Sequence, residues 1–150
     1  MARYFLDSSA LVKRYHHESG SLGVEALFNG AENRIFISRL ALVELHSTFA
    51  RLVREGLHSQ NQFDQFAACL NDDVAPANLR VAAVTNRRLE EASTLLRSIG
   101  RIHALRTLDA IHLATALALH GRGRFEAIVA ADKRLRHAAV ATGLPVLDVS

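Results

Sequence analysis

One cysteine, two prolines, no tryptophan and only two lysines mark what this 150-residue chain lacks. A lone thiol, Cys69, excludes an internal disulfide and a cysteine-based zinc site. Its setting, Phe66-Ala-Ala-Cys69-Leu70, reads as a small core position. No apolar run reaches membrane-spanning length: the most apolar helical stretch, near Leu108 to Leu119, is short and carries Asp109. The first strand begins by about Arg3, which leaves no room for a secretory leader, so the expected compartment is a reducing cytoplasm. Charge of either sign never clusters in a long run, and charged residues make up 22%, so the composition argues against disorder. With 49% hydrophobic residues the chain can bury one core, and its length suits a single domain over residues 1–150.

The basic balance is modest. A formal net charge of +3, supplied mostly by arginine, suits a polyanionic substrate or an acidic partner without specifying either. Short apolar runs end at turn residues, and helical periodicity separates them. Strands are expected at Tyr4–Leu6, Ile35–Ile37, Val81–Val84, Ile128–Val129 and Pro145–Leu147. Helices are expected from Ser8, Ser21 and Ser38, then after the caps Ser59, Thr85 and Thr107, and from Lys133. Asn71–Asp73 and Pro76 form a loop in this reading. Strands alternating with single or paired helices predict an α/β fold: a three-layer α/β/α sandwich with a mainly parallel central sheet.

Four isolated acids stand out against this frame. Asp7 and Asp132 follow apolar strands and open helices, Asp109 lies in the first turn of a helix, and Glu44 lies within one. Each has a purely structural reading: Asp7 and Asp132 as N-caps, Asp109 as a dipole partner, Glu44 as a solvated side chain near Ser47 and Arg51. Together they say more. Ligands of an open parallel sheet bind beyond the carboxyl ends of the strands. Carboxylates collected there repel one another unless a cation intervenes. Oxygen-only ligands favour Mg²⁺ or Mn²⁺ over zinc, and such a site can activate water and clamp a phosphodiester. Other phosphate chemistries lack their signatures here: there is no phosphate-binding Gly-x-x-x-x-Gly-Lys loop, no Gly-x-Ser-x-Gly elbow, and Ser9 stands where a second aspartate of a phosphotransferase would be. The eight histidines show no zinc spacing, and His112, three residues after Asp109, reads as a packing histidine.

Four segments carry a resemblance. Tyr4-Phe-Leu-Asp7-Ser-Ser-Ala-Leu-Val-Lys-Arg-Tyr15, Ile37-Ser38-Arg-Leu-Ala-Leu-Val-Glu44-Leu, Leu105-Arg-Thr-Leu-Asp109-Ala-Ile-His-Leu-Ala114 and Ile128-Val-Ala-Ala-Asp132-Lys-Arg-Leu135 resemble, in order, the motifs of PIN-domain ribonucleases, in particular VapC toxins of toxin–antitoxin pairs. The resemblance implies a Mg²⁺- or Mn²⁺-dependent endoribonuclease whose metal site and catalysis rest on Asp7, Glu44, Asp109 and Asp132, with Ser9 supporting Asp7. It also implies a homodimer held by a VapB-like antitoxin. Arg14, Arg106, Lys133 and Arg134 lie beside these acids and are candidates for RNA backbone contacts. One position departs from the family pattern. Ala130 stands two residues before the last aspartate, where Thr or Ser is common, and it favours the alternative of a non-catalytic PIN-like RNA- or partner-binding module.

Overall fold

The computed structural model describes residues 1–74 and 79–150. Five strands, β1 (Arg3–Leu6), β2 (Arg34–Ser38), β3 (Leu79–Ala82), β4 (Ala127–Ala130) and β5 (Val146–Asp148), form one sheet in the order β3-β2-β1-β4-β5. Every neighbouring pair is parallel, with Phe5 opposite Phe36 on one side and Ile128 on the other.

Strict alternation along the central strands builds two cores, one on each face of the sheet. Phe5, Ile128 and Ala130 point into one core, which α5 (Asn86–Ser98), α6 (Thr107–His120) and α7 (Lys133–Ala141) cover. Leu6 and Val129 point into the other, under α1 (Ser8–Leu11), α2 (Ser21–Asn29), α3 (Arg39–Arg54) and α4 (Gln60–Val74). The three-layer α/β/α sandwich expected from the sequence is the observed architecture, and its sheet is wholly parallel. A 3₁₀ turn, Val12–Arg14, extends α1.

The α3–α4 hairpin follows from periodicity. Leu45, Phe49 and Leu52 bury one stripe of α3, and Phe66 and Leu70 one stripe of α4. Phe49 and Phe66 stack with ring centroids 3.7 Å apart. Ser38 caps α3 by accepting from the Ala41 N–H, as its position predicts, and Ser59 accepts from the Gln62 N–H at the start of α4.

Several local expectations are corrected. Asn71–Asp73 belong to the last turn of α4, where Asp73 accepts from Arg14 and Tyr15. Pro76, the other half of the expected loop, lies outside the described residues. The third strand starts at Leu79, not Val81, because pairing aligns Ile35 with Leu79. Thr107 is the first residue of α6, and Arg106 holds the cap position without a side-chain cap bond. Cys69 is exposed: it falls off the Phe66–Leu70 stripe that turns inward. No described helix is long and apolar enough to cross a membrane.

The aromatic stack pins α3, which carries Glu44, against α4. Phe49→Ala should cost about 3–5 kcal/mol of unfolding free energy, read from urea denaturation followed by circular dichroism.

Candidate active site

The strand order reverses between β1 and β4: the chain leaves β1 for β2 and β3 on one side and returns through β4 and β5 on the other. Helix α1 follows β1 on one face and α7 follows β4 on the opposite face, so the carboxyl ends of β1 and β4 open into a crevice. Asp7 follows β1 and Asp132 lies two residues beyond β4. Asp109 enters from the first turn of α6, and Glu44 from α3.

Asp7 is 2% exposed. Its carboxylate caps α1 by accepting from the Ala10 N–H at 3.0 Å, and the Ser9 hydroxyl donates to it, 2.9 and 2.8 Å from its two oxygens. Ser9 Oγ in turn accepts from the Ala131 and Asp132 N–H groups at 3.0 and 3.1 Å. One hydroxyl thus spends its proton on Asp7 and both lone pairs on the loop after β4, which locks the two crevice walls together. The Asp7 N–H also donates to the Val129 carbonyl. Burial pushes the Asp7 carboxyl up from 3.8 to about 6, against the opposing pull of His112, Ser9 and the Ala10 N–H.

Asp132 is both cap and site residue. Its Oδ1 accepts from the Arg134 and Leu135 N–H groups, while Oδ2 meets Arg106 Nη2 at 3.3 Å. Arg106 Nε lies 3.3 Å from Asp109 Oδ2, so a single guanidinium bridges two of the four acids. The bond to Asp109 holds that guanidinium more firmly protonated than usual. Glu44, Arg106 and Asp109 line one cavity of about 320 Å³.

His112 is the neighbour of the acids that sequence reasoning set aside as packing. It is 1% exposed and bonds on both nitrogens: Nδ1 lies 2.8 Å from Ser38 Oγ, and Nε2 bonds Glu44 Oε1. Both ring nitrogens are thus engaged by side-chain oxygens, and the imidazole ties Glu44 on α3 to Ser38 at the end of β2. The signal was present in the sequence: Asp109 and His112 are three apart and share a helix face.

Of the basic candidates, Arg14 is committed elsewhere. It pairs with Asp73 at 3.3 Å and lies over the Phe28 ring. Lys133 and Arg134 are exposed at the start of α7, next to Asp132. Ala130 is fully buried in the α5–α7 core, and the hydroxyl that reaches the loop after β4 comes from Ser9.

The structure therefore brings Asp109 and Asp132 together through Arg106, Asp7 and Asp132 through Ser9, and Glu44 beside both Arg106 and Asp109 in one cavity. Among the described residues no three His, Cys, Asp or Glu side chains converge as a ready metal cluster. The donor chemistry nonetheless fits a hard divalent cation: all four acids offer oxygen, one is desolvated, and two already share a positive charge.

A doubly covered parallel sheet with acids at its switch point defines a class of protein, an α/β/α fold that gathers carboxylates where an anionic substrate would bind. Comparison with known proteins narrows this. A PIN-domain family profile matches residues 4–141. Ribonuclease VapC45 of Mycobacterium tuberculosis is 32% identical, the match covering 97% of this chain and 95% of the relative. The crystal structure of Mycobacterium tuberculosis VapC20, a sarcin–ricin loop cleaving toxin, superposes with a TM-score of 0.66 at 20% identity, covering 94% of this chain and 95% of that one. VapBC2 of Rickettsia felis, bound to a DNA fragment from its promoter, gives 0.67 at 16% identity with 99% of both chains covered. The chain belongs to the PIN-domain family, among the VapC proteins.

Ionisation of Asp7 opposes folding. The folded-state value lies above the unfolded one, so the cost is absent below about pH 4 and grows as pH rises through about 6. Asp7→Asn should therefore stabilise the metal-free protein at pH 7, by up to about 3 kcal/mol. The gain should vanish near pH 4, as denaturant midpoints across pH will show.

Proposed function

We propose that the protein is a divalent-metal-dependent endoribonuclease that hydrolyses RNA phosphodiester bonds, working as a single PIN domain over residues 1–150. The observation that carries this reading is that one guanidinium, Arg106, pairs with both Asp109 and Asp132, while Ser9 bonds the Asp7 carboxylate and the backbone of the loop that carries Asp132. Asp7, Glu44, Asp109 and Asp132 would hold the ion, Mg²⁺ or Mn²⁺ by their oxygen chemistry. When bound, it supplies Lewis-acid activation of water and neutralises charge on the scissile phosphate.

The remaining work falls to the chain's own residues. Ser9 fixes the Asp7 carboxylate against the loop that carries Asp132. His112, anchored by Ser38, orients Glu44. Arg106 balances Asp109 and Asp132 and, once released from them, is placed to meet a phosphate oxygen. Exposed Lys133 and Arg134 extend the positive rim for the RNA backbone.

Similarity to VapC45, and the toxin–antitoxin complexes among proteins of this fold, support a further reading. The protein acts in the cytoplasm as the toxin of a VapBC-type pair, as a homodimer held by a VapB-like antitoxin. Co-expression with a VapB-like antitoxin should yield a stable complex in which cleavage is suppressed.

With Mn²⁺ and a panel of structured RNAs, Asp7→Asn and Glu44→Gln should abolish cleavage while circular dichroism stays native. Undiminished cleavage by either variant would remove that acid from the mechanism. His112→Gln should lower kcat by about 10–100-fold through a loosened Glu44. Arg106→Gln should tighten Mn²⁺ binding in calorimetry, because the competing cation is gone, and should weaken turnover. Weaker Mn²⁺ binding would show that Arg106 does not compete for the acids.

A further inference from the structure

Helices α5 and α6 enclose a groove whose charges do not balance. Two cavities of about 540 and about 380 Å³ share Arg87, Arg88, Ala118 and Arg122 in their walls, so they form one continuous depression. Each is larger than the cavity at Glu44, Arg106 and Asp109. Asp109 and His120, near the two ends of α6, are separated by roughly 17 Å of helix, and the groove lies toward the His120 end. It is therefore a different place from the acid crevice.

Three local features there run against ordinary preference. Arg88 is 9% exposed, yet its guanidinium has one ion-pair partner, Glu91, at 2.8 Å. Arg87 shares that same carboxylate at 3.1 Å, and Arg122 forms no ion pair among the described residues. Both Arg87 and Arg88 sit in the first turn of α5, where the helix dipole disfavours cations. That turn contains no acid, and Thr85 at the cap makes no side-chain bond to it. An anion in the groove would answer all three at once. Rules broken without a structural return mark functional positions. The floor is apolar, formed by Leu95, Ala114 and Leu117. A bare inorganic anion would leave this floor unused. A nucleotide matches both parts, its phosphate on the guanidiniums and the apolar face of its base against the aliphatic floor.

We propose that the α5–α6 groove is an RNA exosite, which grips nucleotides remote from the scissile bond through Arg88 and Arg122. The choice of RNA rests on the nuclease reading above; the surplus of positive charge does not.

The test uses the full chain carrying Asp7→Asn, so that RNA survives, and measures anisotropy of a labelled single strand about twelve nucleotides long across a salt series. The double change Arg88→Gln with Arg122→Gln should weaken binding and flatten the slope of log K against log salt by about 1.4, two contacts at about 0.7 each. Arg122→Gln alone, an exposed change after α6 with little reach into folding, should flatten it by about 0.7. An unchanged slope in natively folded variants overturns the proposal. A change confined to sedimentation, with the RNA slope intact, would make the groove a contact between copies instead. If wild-type protein cleaves no RNA but the slope shifts as stated, the nuclease reading falls and the exosite stands. If cleavage is robust and the slope does not move, only the exosite falls.

Discussion

A carboxylate stripped of water demands compensation, and the fold supplies it at the β1–β4 crevice. Asp7 is desolvated, and its affinity for a proton rises accordingly. Around it, helix N-termini, hydroxyls and one guanidinium distribute partial and full positive charge over the acids. The bridging contacts of Arg106 are 3.3 Å long, beyond the roughly 2.7–2.9 Å of a tight charge-assisted bond. Its side chain is also largely exposed. Such a counter-ion can yield to a stronger cation without disturbing the core, whereas Ser9 and His112 are fixed by bonds on every side. The site thus combines rigid orientation with replaceable charge.

Placement of the crevice depends on both cores. Phe5 and Leu6, adjacent in β1, face opposite layers, and so do Ile128 and Val129 in β4. Whatever tilts one layer against the other is felt where these strands end. Ala130 belongs to this packing, fully buried against the α5–α7 layer. The Ser9 hydroxyl ties down the backbone just beyond it, so the loop before Asp132 is held without a hydroxyl on β4.

Much of this was legible in the sequence, and the exceptions have physical causes. Short unbroken apolar runs at β1 and β4 and the 3.6-residue stripes of α3 and α4 gave architecture directly, because a sheet covered on both faces buries every strand position while a packed helix buries one stripe. The acids were legible by position, each beside a strand end or in a helix. What sequence could not supply was pairing between distant side chains. His112 looked like packing because its partners, Ser38 and Glu44, come from β2 and α3. Arg14 looked free because Asp73 is far away in the chain. Asn71–Asp73 read as loop from local propensity, but Tyr15 and Arg14 bonds to Asp73 favour the helical end. The cap of α6 was misplaced by one residue, since Arg106 is held by the acids rather than by cap chemistry.

The α3–α4 hairpin has an evolutionary consequence. The Phe49–Phe66 stack clamps its base, while the turn from Glu55 to Ser59 stands largely exposed and includes Gly56 at φ +73°. Lengthening or recolouring that tip would not displace Glu44, three helical turns away on the clamped side. Sequence at that tip is therefore free to drift with little consequence for the crevice.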